Sequence, residues 1–387
     1  MPGFPGSGQC CSDSLGDDFI EHRRDATLIS WKKGKVIRII DSSEQIQELE
    51  VECEGDTCLA WNYPSLSGEA VVGDLVYLNI TAVQLKLGTG GYHFVIANLS
   101  RTPKNEPGPG HIMKLRYTPY QLKVLSVEEE ESPHHNDIKE FTSLEGTPVV
   151  VGTLHSMLAP AAAGCVVGKG KELRVVYIMT DGAALPLPLS RMVRTLKKEG
   201  IIAGTVTTGH AFGGDLESVN IYSGLIAAYQ VLKADVIIVT MGPGIVGTGT
   251  KWGTTALEQG EIINAASILG GRPVAVPRIS FADPRPRHQG VSHHTLTALG
   301  HVALRQAVIA LPELVNGQQS DLIKKQLEEA GIFERHRVVI RDGSPALGYL
   351  AEMGIRVSSM GREPSTDPAF FLAAGAAGLI AADLCKR

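Results

Sequence analysis

The sequence predicts an α/β protein: a small N-terminal antiparallel β domain, barrel-like, followed by a larger domain whose mostly parallel sheet is covered by helices on both faces. Two rhythms and the break between them predict this. Up to about residue 127 the apolar residues alternate in short runs broken by Gly, Pro, Asn and Asp, as half-buried strands require. Beyond that, strand-like and helix-like segments succeed each other at roughly 25-residue spacing, the pattern of βαβ units. Between the two lies VEEEESPHHND, whose charge run and Ser-Pro mark an exposed connection.

Taken in order, residues 1–28 are rich in Gly, Ser and Asp without periodicity and read as a disordered lead-in. The β domain spans 29–130, with strands in GKVIRII, ELEVECEG, CLAWNYP, DLVYLNITAV and GYHFVIANL. Residues 131–147 read as a linker, and 148–387 as the α/β domain. Its strands are expected in TPVVVGTLH, LRVVYIMTD, IIAGTVTTGH, DVIIVTMG, PVAVPRISF, RVVIRDG and IRVSSMG. A helical stripe of apolar residues covers Asp215 to Leu232. In TLTALGHVALRQAVIALP both helical spacing and strict alternation fit, so helix and hairpin stay open. TDPAFFLAAGAAGLIAADLCK reads as a terminal helix capped by Thr366 or Asp367, with Pro368 in its first turn.

Composition narrows the function classes. With 387 residues, 43% of them hydrophobic, the chain can build a sizeable core; a net charge of -5 provides no global positive field for nucleic acid or an anionic membrane. The 5% aromatic content also weighs against a general single-strand binder. No apolar run is long enough to span a bilayer, and the N-terminus lacks the basic start and apolar core of a secretory signal, so a cytoplasmic protein is expected. The six cysteines include no CxxC pair, and Cys53 and Cys58, facing each other across a hairpin, read as plain thiols. A symmetric homo-oligomer is a further expectation.

In open α/β sheets ligands gather at the carboxyl ends of the strands, where loop amides and helix N-termini converge. The residues that follow the expected strands there include His155, Asp181, His210, the glycine stretch MGPGIVGTGTKWG and ADPRPRH. Gly242, Gly244 and Gly247 formally satisfy GxGxxG, but no acidic residue follows at a second strand end, and the lysine is displaced from a Walker loop. Two readings remain: a wide turn needing positive φ angles, or an anion-binding nest of Gly242, Gly244, Gly247 and Gly249 with Thr248, Thr250 and Lys251 as side-chain donors. Pro284 and Pro286 stiffen DPRPR, so Arg285 and Arg287 point the same way and are placed to clamp one carboxylate or phosphate, with His288 beside them. Pairing of those arginines with acidic neighbours is the competing reading. Asp181, His210 and His293 are the acid/base candidates, with Asp215 either orienting a partner or capping a helix. The cofactor is unknown and a divalent metal is open, with His134, His135, His293 and His294 as its candidate ligands. Adjacent histidines diverge on strands and helices alike, which argues against a site built on one pair alone.

These residues predict an enzyme, a hydrolase or transferase, binding a small phosphorylated or nucleotide-like anion. The alternative is a non-catalytic ligand sensor or scaffold whose β domain meets RNA or a protein through the local basic patch of Trp31, Lys32, Lys33, Lys35 and Arg38.

Longer stretches, among them WKKGKVIRI, GPGHIMKLRYTP, YIMTDGAALP, AFGGDLESVN, GPGIVGTGTKWG and DPRPRHQGVSHHTLTALG, resemble a bacterial family of unknown function, DUF3866, from residue 29 onward. The resemblance implies a cytoplasmic bacterial protein. It supplies no activity, cofactor or catalytic residue.

Overall fold

The computed structural model describes residues 28–88, 90–102 and 108–386. The expected lead-in over 1–28 lies, apart from Leu28, outside the described residues. Two compact units divide the chain, Met1–Asn105 and Glu106–Arg387.

In the first unit, strands β1 (Trp31–Ser42), β2 (Gln47–Cys53), β3 (Asp56–Asn62), β4 (Leu75–Asn79) and β5 (Tyr92–Asn98) close into a barrel in the order β1-β2-β3-β5-β4. Every pair is antiparallel except β3 with β5. The alternation of the sequence becomes inside and outside, with Val36, Leu49, Val51, Ala60, Val76 and Leu78 forming the barrel core. Cys53 and Cys58 meet across the β2–β3 hairpin as free thiols, Sγ to Sγ 3.3 Å. Burial, with the Cys53 contact, pushes the Cys58 thiol up to about 12, so it stays protonated. The basic stretch of β1 is partly neutralised at the surface, Lys32 by Glu54 and Arg38 by Glu50.

The second unit opens with a hairpin of β6 (Ile112–Lys114) and β7 (Leu122–Val124). Residues 108–130, grouped with the β domain by sequence, therefore belong to this unit. Its main sheet is built from β8 (Pro148–Val151), β9 (Val175–Thr180), β10 (Gly204–Thr208), β11 (Leu216–Ser218), β12 (Val236–Met241) and β13 (Arg272–Ala275). A two-stranded ribbon of β14 (Ile279–Ser280) and β15 (Gly290–Val291) precedes the last two strands, β16 (Val308–Pro312) and β17 (Arg337–Arg341). All eight main strands are parallel, in the order β11-β10-β9-β12-β8-β13-β16-β17. Strands β8, β9, β10 and β12 are buried along their whole length, which is why β8, β9 and β12 read as nearly continuous apolar runs, whereas β10 buries three threonines. The helices of this unit include α1 (Leu158–Lys169), α2 (Arg191–Lys198), α3 (Ile221–Gln230), α4 (Glu258–Ile268), α5 (His293–Thr297), α6 (Gly317–Glu329), α7 (Ser344–Glu352) and α8 (Pro368–Leu384), with single turns at His135–Lys139 and Ile332–Arg335. Small residues let α1 and α8 touch backbone to backbone: a Cβ on Gly378 would fall on the Ala161 carbonyl oxygen, with Cys165 N only 2.9 Å away.

Four local expectations change. The helix expected from Asp215 begins at Ile221, where Asn220 and Ser223 form a capping box, and Leu216–Ser218 adds an edge strand instead. The ambiguous segment resolves into α5, a wide π turn over Ala298–Val302, and then β16. IRVSSMG forms no strand; β17 ends the sheet, and only a bridge between Ser359 and Arg362 is paired there. Asp367 occupies the N-cap position of α8 without a capping bond, because its carboxylate accepts from Ser280 Oγ at 2.6 Å and Arg362 Nε at 3.0 Å.

Candidate functional site

Chain direction across the sheet reverses at β12, which slots between β9 and β8 after the chain has run out to β11. A switch of this kind leaves a crevice at the carboxyl ends of the central strands. Around it the loops after β9, β10, β12 and β13 supply the polar residues.

On one side stands an acidic group. The Asp181 carboxylate accepts the His210 backbone N–H at 2.9 Å, and comes so close to Gly209 (φ 62°) that a side chain there would collide with it. The His210 ring accepts the Leu115 N–H at Nδ1, 2.9 Å, and has Arg116 3.3 Å from Nε2. Nearby, Thr180 Oγ1 donates to Glu258 at 2.8 Å in the first turn of α4. Burial, reinforced by the charge of Asp181, raises the Glu258 carboxyl to about 7, although Thr180 opposes the shift. The sequence reading missed Glu258 because a lone glutamate at the start of a helix reads as an ordinary dipole partner. Its signal lay in position: it follows the glycine loop and faces the end of β9.

The glycine loop after β12 closes on itself. Thr248 N and Oγ1 both donate to Gly253 O, at 2.9 and 3.0 Å, Gly253 N donates to Thr250 Oγ1 at 3.1 Å, and the two threonine hydroxyls lie 2.9 Å apart. Those hydroxyls shape the loop from within. Gly242 packs on the Ala184 carbonyl, while Gly244 faces open space. Gly247 lies against His294, where a Cβ would stand 2.5 Å from the ring carbon Cε1. Beside Gly249 lies the Arg287 guanidinium, Cζ 3.8 Å from where a Cβ would sit. Lys251 is exposed, its ammonium 5.4 Å from the centroid of the exposed Trp252 ring.

The two arginines of DPRPR part company. Arg285 forks onto Asp283, Nε to Oδ1 at 2.9 Å and Nη2 to Oδ2 at 2.8 Å. Asp283 is wholly buried and also receives Arg278 at 2.9 Å and Arg362 at 3.5 Å, and Arg285 first, with Arg278, holds its carboxyl far below the usual range. The two-arginine clamp is therefore corrected: Arg285 serves an internal hub, because Asp283 lies two residues from it and is the nearer anion. Arg287 is exposed and has no ion pair among the described residues.

His288, His293 and His294 come together, each offering a ring nitrogen within 4.8 Å of the others. His288 and His294 are buried and His293 half-buried. Burial first, with the surrounding arginines, lowers all three, His288 to about 3 and His294 to about 4, so the rings are neutral at physiological pH.

Other candidates lie elsewhere. Asp215 sits at the amino end of β10, accepting from Thr205 N at 2.9 Å and Thr205 Oγ1 at 3.0 Å and pairing with Lys197. The chain has run back along the sheet edge before reaching it, so Asp215 does not join Asp181 and His210. His135 bonds the Glu128 carbonyl at 2.9 Å and His134 lies 3.4 Å from Asp137, so neither joins the histidine cluster. His155 is spent in a buried chain, Nε2 2.6 Å from Ser190 Oγ and Nδ1 3.1 Å from Tyr177 Oη. A cavity of about 330 Å³ opens at the amino ends of the strands, beside Glu145, Tyr229, Lys233 and Asp235, away from these groups.

No helix among the described residues is long and apolar enough to cross a membrane. A search of curated proteins finds no match to the chain. The sequence profile of the protein family of unknown function DUF3866 matches residues 59–378, and the chain belongs to that family.

Proposed function

We propose that the second unit is an enzyme, a hydrolase or transferase of the bacterial cytoplasm, acting on a small phosphorylated or nucleotide-like anion at the carboxyl ends of β9, β12 and β13. The observation that carries this reading is Arg287, an exposed guanidinium without a counter-ion among the described residues, lying against the amide-rich turn at Gly249. A planar donor fork beside backbone amides suits a phosphate or carboxylate. Lys251 adds a second cation, and Trp252 an exposed aromatic face for a base or other flat group.

Glu258 supports turnover over mere binding. A carboxyl that titrates near neutrality can take a proton from a nucleophile or give one to a leaving group, and Asp181 and His210 lie at the ends of the neighbouring strands. Arg287→Ala should weaken binding of inorganic phosphate and nucleoside monophosphates at least tenfold by calorimetry while leaving the melting temperature within a degree or two, because the side chain carries no internal ion pair. Unchanged affinity for every anion tried would remove the assignment. In the first unit Lys32 and Arg38 have acidic partners, which weakens the basic patch that the RNA-binding alternative needs, while Lys33 and Lys35 remain exposed.

A further inference from the structure

Among the polar side chains of the second unit, the imidazoles of the histidine cluster are the ones left unsatisfied together. His294 is only 5% exposed, yet both of its ring nitrogens lack a hydrogen-bond partner, and so does Nε2 of His293. A buried polar atom left unpaired forfeits its hydration without compensation, so three in one place call for an occupant. The ring centroids of His293 and His294 lie 4.1 Å apart, and each lies 5.2 Å from that of His288.

We propose that His288, His293 and His294 bind one divalent transition-metal ion of the zinc, cobalt or nickel kind, with a coordination position left open beside the glycine loop. Three imidazoles without a carboxylate are the donor set of that class rather than of magnesium or calcium. Metal–nitrogen bonds of this class are about 2.0–2.1 Å, which puts tetrahedral nitrogens about 3.4 Å apart. The observed spread of up to 4.8 Å closes by small rotations of the rings. The objection that adjacent histidines diverge is met locally: both sit in the first turn of α5, and the 3₁₀ turn of Pro286–His288 brings the third ring to them.

Ser292 ties the set together. Its Oγ is 2.8 Å from His288 Nδ1 and 3.4 Å from the His294 backbone nitrogen, the kind of outer partner that fixes a ligand ring. For His288 to ligate through Nε2, Nδ1 must carry the proton and donate it to Ser292. The contact of Arg278 Nη1 with that nitrogen, 3.1 Å, then opens while Nη2 keeps Asp283. The groups facing the cluster are cationic, Arg278, Arg285 and Arg287, with Asp283 offsetting the first two. Bound metal therefore favours an anion at the open position, and phosphate and metal should each tighten the binding of the other.

The experiment uses untagged full-length protein stripped with chelator. It is titrated with zinc or cobalt alone, with Cys53→Ser/Cys58→Ser as the background that removes the barrel thiols. The expected result is one equivalent bound, the visible bands of a four-coordinate cobalt site, and at least a tenfold loss of affinity in His294→Gln and in the half-buried His293→Ala. Circular dichroism checks that each variant folds, and His293→Ala keeps the test informative if His294→Gln does not. Absence of stoichiometric binding, or an equivalent that survives both substitutions, overturns the site. Phosphate titrated into the metal-free protein separates the two readings: if it still binds and depends on Arg287 while metal does not bind, the anion reading stands and the metal site falls.

Discussion

Asp283→Ala would test the electrostatic centre of the second unit. The carboxylate is completely buried and serves Arg278, Arg285 and Arg362, of which Arg278 is itself 4% exposed. Burial already lowers the Arg278 guanidinium to about 10, against the pull of Asp283. Removing the aspartate leaves a buried cation facing two others, and breaking a buried pair on one side costs about 3–5 kcal/mol. Urea denaturation followed by far-ultraviolet circular dichroism reads this loss in the second unit, since every described helix of eight or more residues lies there. The pH dependence has a definite sign. Because the folded carboxyl is depressed, its contribution is present above the unfolded value near 3.9 and is lost as pH falls below it toward the folded value. The variant should therefore destabilise most at neutral pH, with the gap to wild type shrinking in acid. A change below about 0.5 kcal/mol at pH 7 would show that the arginines find other partners and that the hub does not hold the DPRPR loop.

Glu258→Gln probes the opposite shift. The wild-type carboxyl is raised in the fold, so its stability contribution is present below the unfolded value near 4.3 and is lost as pH rises toward about 7. Wild type should lose up to about 3 kcal/mol between pH 5 and 8 that the glutamine variant keeps, and equal urea midpoint shifts for both proteins would refute the assignment. Gly378→Ala should destabilise by about 1–3 kcal/mol, because the new methyl group meets the α1 backbone rather than a side chain that can turn away. An unchanged thermal midpoint would mean that α1 and α8 separate freely.

Much of the architecture was legible because burial leaves a plain record in sequence. VVYIMT and VIIVTM are covered on both sides and, apart from the Tyr177 hydroxyl, hold nothing polar but a terminal or near-terminal threonine, whereas QELEVEC alternates because it lines a barrel. The edge strand Leu216–Ser218 escaped, since three residues carry too little pattern to compete with the apolar stripe that follows. The strand-end rule puts Asp181, His210, the glycine loop and Arg287 in the loops after the strands, and that is where they lie. Tertiary choices stayed hidden. Nothing local says that Asp215 falls at the amino end of its strand, or that His288 reaches His293 and His294. Each depends on where a loop folds, which is set by partners distant in sequence.

The hairpin at 112–124 bears on how the chain can be divided. Lys114 is only 1% exposed, and its ammonium donates to the carbonyls of Thr207, at 3.2 Å, and Ala211, at 2.5 Å, and to the Glu217 carboxylate at 2.5 Å. It thereby pins the return loop that carries His210, while Leu115 pins the imidazole itself. A gene fragment starting at residue 148, where the strand and helix rhythm begins, would look complete on paper. It would lack the cation that quiets Glu217 and the amide that aims His210, so the shortest self-sufficient piece begins upstream of the hairpin, and the apparent tail of the barrel is inherited with the crevice.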